Sequence, residues 1–195
     1  MKKFDTQKEV ELRMLVCQEA LTWVGTPFRF ACLQKGKGAD CAEYAIQPYK
    51  VAGLIELGIN VPRQLRDWLL AGKEVDPTVF RRFIERFAVR IPYEQKLPGD
   101  LVTFNFLGVE SHVGILVESD PDWMVDAVTR GTVRKRRLQS INSLEAVYRH
   151  VSFSGDKSVI AGLEKWQGDR AYRPLTSAST ANDGQQQGRI DQNGN

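Results

Sequence analysis

The chain has 195 residues, 42% of them hydrophobic, with 27 basic and 24 acidic side chains for a net charge of +3, which suits one domain with a single buried core. So small an imbalance, with no long basic run interleaved with aromatics, argues against an extended nucleic-acid footprint. Three cysteines and two histidines, none paired at zinc-site spacing, argue against a disulfide scaffold or structural zinc, and no metal or cofactor is expected.

Met1-Lys2-Lys3-Phe4-Asp5 leads into a polar segment without the apolar core of a secretory signal, and no apolar run is long enough to span a membrane. Synthesis in the cytoplasm without a Sec signal is the expectation. Thr6-Gln7-Lys8-Glu9 has the form of a capping box and predicts a helix start. Val10, Met14, Cys17, Leu21 and Val24 follow at helical steps and predict one apolar face, with Cys17 in the core. Gly25-Thr26-Pro27 ends this helix, and a loop carrying Cys32, Gly36 and Gly38 runs to Asp40.

A second helix is predicted from Asp40 or Cys41 to about Leu57, with Pro48 expected to bend or break it. Cys41 then occupies a first helical turn, where unpaired N–H groups and the positive dipole end favour a thiolate, given a basic partner. A buried structural thiol is the competing reading. Amphipathic pieces around Leu65–Leu70 and Val79–Phe87 make residues 62–90 a helical insertion.

From Pro98-Gly99-Asp100 the periodicity changes. Five strands are predicted at Leu101–Phe106, His112–Val117, Trp123–Val128, Thr132–Leu138 and Tyr148–Phe153. Short breaks at Ser119-Asp120-Pro121-Asp122 and Arg130-Gly131 imply antiparallel hairpins, so the class is α+β: helices first, then a meandering sheet. Arg134-Lys135-Arg136-Arg137 reads as the solvated face of a strand, or else as a patch for an anionic polymer or membrane surface. The domain closes near residue 155. Lys157–Trp166 predicts a helix within an extension over 156–175, and the polar composition of 176–195 predicts disorder.

An activated thiol needs a base, and the base needs an orienting group. His150, late in the last predicted strand, reads as structural or surface. His112 opens a strand after a glycine loop, and Asp126 is a lone carboxylate in the next, apolar strand. Folded about the turn near Ser119, the two are plausible cross-strand neighbours; the alternative is that Asp126 faces outward.

Four blocks, Trp23-Val24-Gly25-Thr26-Pro27-Phe28-Arg29, Gly38-Ala39-Asp40-Cys41-Ala42, Leu97-Pro98-Gly99-Asp100-Leu101-Val102-Thr103-Phe104 and Ser111-His112-Val113-Gly114-Ile115-Leu116, together resemble NlpC-type cysteine peptidases, in family order. The resemblance implies a papain-like α+β fold, no cofactor, and hydrolysis of peptide bonds in the stem peptides of bacterial peptidoglycan. It implies Cys41 as nucleophile and His112 as base, with Asp126 in the place of a third polar residue that is usually His. It also implies a substrate groove at Phe28, Arg29, Asp40, Ala42 and Glu43. Phe28 stands where the family commonly has Tyr, and Ala42-Glu43 where it has Ser-Gly, departures that remove polar contacts near the pocket and leave the usual dipeptide specificity open. Three readings stay open: a wall peptidase delivered by a phage tail or another route, an assembly protein that keeps the fold without hydrolysis, and an amidase for a different substrate.

Overall fold

The computed structural model describes residues 4–62, 76, 78–106 and 108–168. The first helix, α1 (Thr6–Leu21), is capped one residue before the expected place. Asp5 accepts the Lys8 N–H at 2.9 Å, so Thr6-Gln7-Lys8-Glu9 is not a capping box. Glu9 is instead fully buried, and its Oε2 accepts the Ser154 N–H at 2.6 Å. The buried stripe runs through Glu9, Arg13, Val16, Cys17 and Ala20. Cys17 is core as expected, whereas Val24 is 47% exposed, because the helix ends at Leu21.

A two-stranded ribbon, β1 (Leu33–Gln34) with β2 (Gly38–Ala39), precedes α2 (Cys41–Val51). Pro48 lies inside α2 without breaking it. It lacks a donor for the preceding turn, yet its carbonyl still accepts the Ala52 N–H at 3.0 Å. The helix stops short of Leu57, at a turn in which Gly53 has φ +69°, a conformation that favours glycine.

Next come α3 (Val79–Ile84) and a strand that composition did not reveal, β3 (Ala88–Ile91). β3 takes the last residues of the segment 62–90 read as a helical insertion, which is therefore not helical to its end; the helix expected around Leu65–Leu70 lies outside the described residues. β4 (Leu101–Phe106), β5 (Val109–Glu118), β6 (Trp123–Ala127) and β7 (Val133–Arg137) form the expected antiparallel meander. β8 (Leu144–His150) starts earlier than expected and inserts between β3 and β4, giving the order β3-β8-β4-β5-β6-β7. The sheet therefore has six strands, and its last strand is not the neighbour of β7.

Alternation sends Ile115 and Val125 into the helix-covered core with Val16, Tyr44 and Ile46. Leu116 and Met124 go to the opposite cluster with Val102, Phe104 and Val147. Burial on both faces is why these strands read as nearly continuous apolar runs. The last helix, α4 (Lys157–Gly168), carries Val159 and Leu163 into a small cluster with Val10 of α1. The expected disorder of 176–195 falls outside the described residues.

Beneath the helices lies a buried charge cluster. Arg13 donates to Glu9 at 2.9 Å and to Asp100 at 2.8 Å; Arg149 donates to Asp100 Oδ2 at 2.9 Å. Two cations thus meet two carboxylates, and the Arg13 guanidinium also lies 4.3 Å from the centre of the Phe153 ring. The cluster ties α1, the Pro98-Gly99-Asp100 turn and β8 together.

Candidate active site

Asp40 is the N-cap of α2. Its Oδ1 accepts the Glu43 N–H and its Oδ2 the Ala31 N–H, both at 2.8 Å. Burial pushes its carboxyl up against the lowering effect of those bonds. Both oxygens are committed to backbone, so Asp40 shapes the turn instead of lining a groove as the resemblance implies. Ala42 and Glu43 are also buried, at 4% and 5% exposure, as is Cys41 itself at 5%. The nucleophilic atom this turn carries is the Cys41 sulfur, at the head of α2 next to its cap.

Upstream, Gly25 and Phe28 donate their N–H groups to Val133 and Gly131, both at 2.8 Å, and Arg29 donates its N–H to the Ala39 carbonyl at 3.0 Å. This segment laces the loop before Cys41 to β7. A side chain at Gly38 would come within 2.7 Å of Arg29 and 2.8 Å of the Cys32 sulfur, so the approach requires glycine there. Phe28 is half-buried, its ring edge-on to Phe30 at 4.9 Å, while Arg29 is exposed.

On the sheet, Gly114 of β5 lies opposite Asp126 of β6, which puts His112, two residues earlier, diagonal to Asp126 on the same face. His112 Nε2 and Asp126 Oδ2 are 2.6 Å apart. Gly114 makes this reach possible: a Cβ there would stand 3.2 Å from the Asp126 Cβ. Asp126 is fully buried, which rules out the outward-facing alternative. Burial lowers the His112 pKa, but hydrogen bonds and charges from Asp126 and Cys41 outweigh it and raise the value to about 9. For Asp126, burial raises the pKa, and the His112 and Arg136 partners bring it below the ordinary carboxylate value.

Arg136 is the residue that sequence reasoning missed. Its Nε donates to Asp126 Oδ1 at 2.9 Å, and its Nη2 closes a bidentate pair on Oδ2, the oxygen that also faces His112. The signal was present but faint. In β7, Arg134 pairs with Asp126 and Arg136 with Met124, so alternation puts these two of the four basic residues on the Asp126 face. Lys135 pairs with Glu118, and Arg134 and Arg137 are exposed.

His150 is structural. It is 2% exposed, its Nδ1 accepts the Ser152 N–H at 3.2 Å, and its Nε2 lies 3.1 Å from the Leu54 carbonyl. Burial pushes its pKa down, as fits a neutral ring.

A pH prediction follows from the signs of these shifts. A raised His112 stabilises the fold fully below the unfolded value of about 6.5 and ceases to as pH rises through about 9. The lowered Asp126 stabilises above the carboxylate range and ceases to as pH falls through its native value. In urea unfolding, the stability gap between the native chain and Asp126→Asn should be widest at about pH 5–6 and shrink toward pH 9. A gap that is flat with pH would break the assigned His112–Asp126 ion pair.

The family model that matches is the NlpC/P60 family, over residues 25–152. Among solved structures, the NlpC/p60 domain of peptidoglycan hydrolase SagA superposes with TM-score 0.50 at 18% identity, covering 70% of this chain and 97% of that one. An NlpC/P60 family protein from Bacillus cereus ATCC 10987 gives 0.52 at 20% identity, covering 71% and 40%. NlpC1 from Trichomonas vaginalis gives 0.50 at 15% identity, covering 71% and 44%. This chain therefore spans less than half the length of the last two, and at these identities the likeness carries the fold alone. No curated protein matches the sequence. With two thirds of its length matched by that model and a six-stranded α+β fold to go with it, the chain belongs to the NlpC/P60 family of cysteine peptidases.

Proposed function

We propose that the chain hydrolyses peptide bonds in the stem peptides of bacterial peptidoglycan, with Cys41 as nucleophile, His112 as acid and base, and Asp126 as the group that orients His112. The observation that carries this reading is the chain of partners from Cys41 through His112 to Asp126. Because Nε2 is engaged by Asp126, Nδ1 is the nitrogen free to serve the sulfur. The Cys41 thiolate attacks the scissile carbonyl, and the resulting oxyanion lies near the N–H groups at the start of α2. The C–N bond breaks as imidazolium Nδ1–H protonates the departing amine. Neutral His112 then takes a proton from water, the hydroxide attacks the thioester, and the thiolate is expelled.

The substrate class is supported by the family and by the shared fold with a domain of the peptidoglycan hydrolase SagA. Phe28 and the exposed Arg29 supply an apolar wall and a cation for the peptide's acidic groups. Delivery to the wall in a virion or by another export route is part of the proposal; among the described residues no helix is long and apolar enough to cross a membrane.

The test is mass spectrometry of material released from purified sacculi and from a panel of γ-glutamyl peptides. The native chain should release fragments with new amino termini, and Cys41→Ala none. Absence of any release by the native chain, with sacculi and peptides alike, would favour an assembly role for the fold.

A further inference from the structure

Asp126 presents a difficulty of charge. A carboxylate with no exposed surface sits in line with a cysteine that must ionise to react, and Asp40 and Glu43 place two more acidic side chains in the turn that holds the sulfur. The Asp40 carboxylate is partly offset by the N–H groups it accepts. Tyr44, on the same helix, has its hydroxyl on the Ala20 carbonyl at 3.3 Å and brings no cation. Glu110, two residues before His112, is paired with Arg81 at 3.1 Å. Arg134 lies across from Asp126 in the ladder and is exposed. Among the described residues, the cation that touches the Asp126 carboxylate besides His112 is Arg136, four-fifths buried and bonded to both oxygens.

We infer that Arg136 is a positioning residue that makes the Asp126 carboxylate compatible with a reactive Cys41, by fixing its orientation toward His112 and cancelling its charge. The arithmetic is short. Over the four groups in line, Cys41 is −1, His112 +1, Asp126 −1 and Arg136 +1, which sums to zero, with Asp40 and Glu43 lying outside this line; without Arg136 the same four groups carry a net negative charge beside the fully buried Asp126, which opposes a further anion at the sulfur. Lysine at 136 would keep the charge but not the bidentate fork. A neutral amide at 126 would remove the need for either, since its carbonyl can still accept the imidazole N–H.

The inference rests on Cys41 being the nucleophile, and the experiment separates the two. Second-order alkylation of Cys41 by iodoacetamide is followed from pH 4 to 10 in a Cys32→Ser background, with sacculus hydrolysis in parallel. Arg136→Met should raise the pH midpoint of alkylation by about one unit or more and cut hydrolysis at neutral pH by about 10-fold or more. Arg136→Lys should recover most of the midpoint, and the double variant Asp126→Asn/Arg136→Met should react faster at neutral pH than Arg136→Met alone. Fast native alkylation with an unmoved midpoint in Arg136→Met would overturn the role of Arg136, even if that variant melted lower, because a merely structural arginine changes stability and not the midpoint. A native Cys41 no faster than a model thiol would overturn both readings.

Discussion

Asp100→Ala is expected to lower the unfolding free energy by about 3–5 kcal/mol, the usual cost of stranding a buried charge. One Asp100 oxygen accepts Arg13 Nη1 at 2.8 Å and Arg149 Nε at 3.2 Å. The other accepts Arg149 Nη2 and the Leu97 N–H, both at 2.9 Å. Without the carboxylate, two fully or nearly buried guanidinium groups share the single charge of Glu9, and the Leu97 N–H loses its acceptor. Asp100→Asn keeps the shape and one acceptor, and should cost less. Equilibrium urea unfolding, compared at equal slope, is the measurement; a loss below about 1 kcal/mol would mean that the cluster is dispensable.

The second large effect is chemical. His112→Ala should lower peptide hydrolysis by about 10²–10⁴-fold, the usual contribution of a positioned acid–base group, and should bring Cys41 alkylation at neutral pH close to that of a free thiol. Under the proposed mechanism both losses arise because the imidazolium stabilises the thiolate and also supplies the proton to the leaving amine. His150→Ala is the control, since His150 bonds Leu54 and Ser152 in the core; it should reduce stability and leave the pH dependence of alkylation in place. Equal loss of activity in the two variants with normal alkylation in both would contradict the assignment of the base.

How much of this was legible beforehand depended on how local the signal was. A glycine-bearing loop followed by Asp40-Cys41 and an apolar run marked the start of α2 within one residue, because capping is decided by a few neighbouring atoms. Lone polar residues in apolar strands marked His112 and Asp126, because such groups need partners. The Glu9–Arg13 pair was not legible as buried, since the same i, i+4 spacing on a surface helix gives an ordinary exposed ion pair. Arg136 was hidden in a run of four basic residues: the register with β6 puts both Arg134 and Arg136 on the Asp126 face, and only the side-chain contacts single out Arg136. The place of β8 was hidden for a related reason: pairing with β3 and β4 is set by contacts between distant segments, and the short β3 gave no alternation to announce it.

That late-arriving strand affects how the protein is made. Because β8 fills the slot between β3 and β4, a growing chain that has not yet reached Leu144 carries both of those edges bare, each a row of unpaired backbone groups ready to take any extended segment nearby. Its most adhesive moment on the ribosome therefore comes just before the sheet closes. A shortened product that ends before β8 would leave the β4 edge bare and β3 without its partner, the open strand edge that invites pairing with another chain.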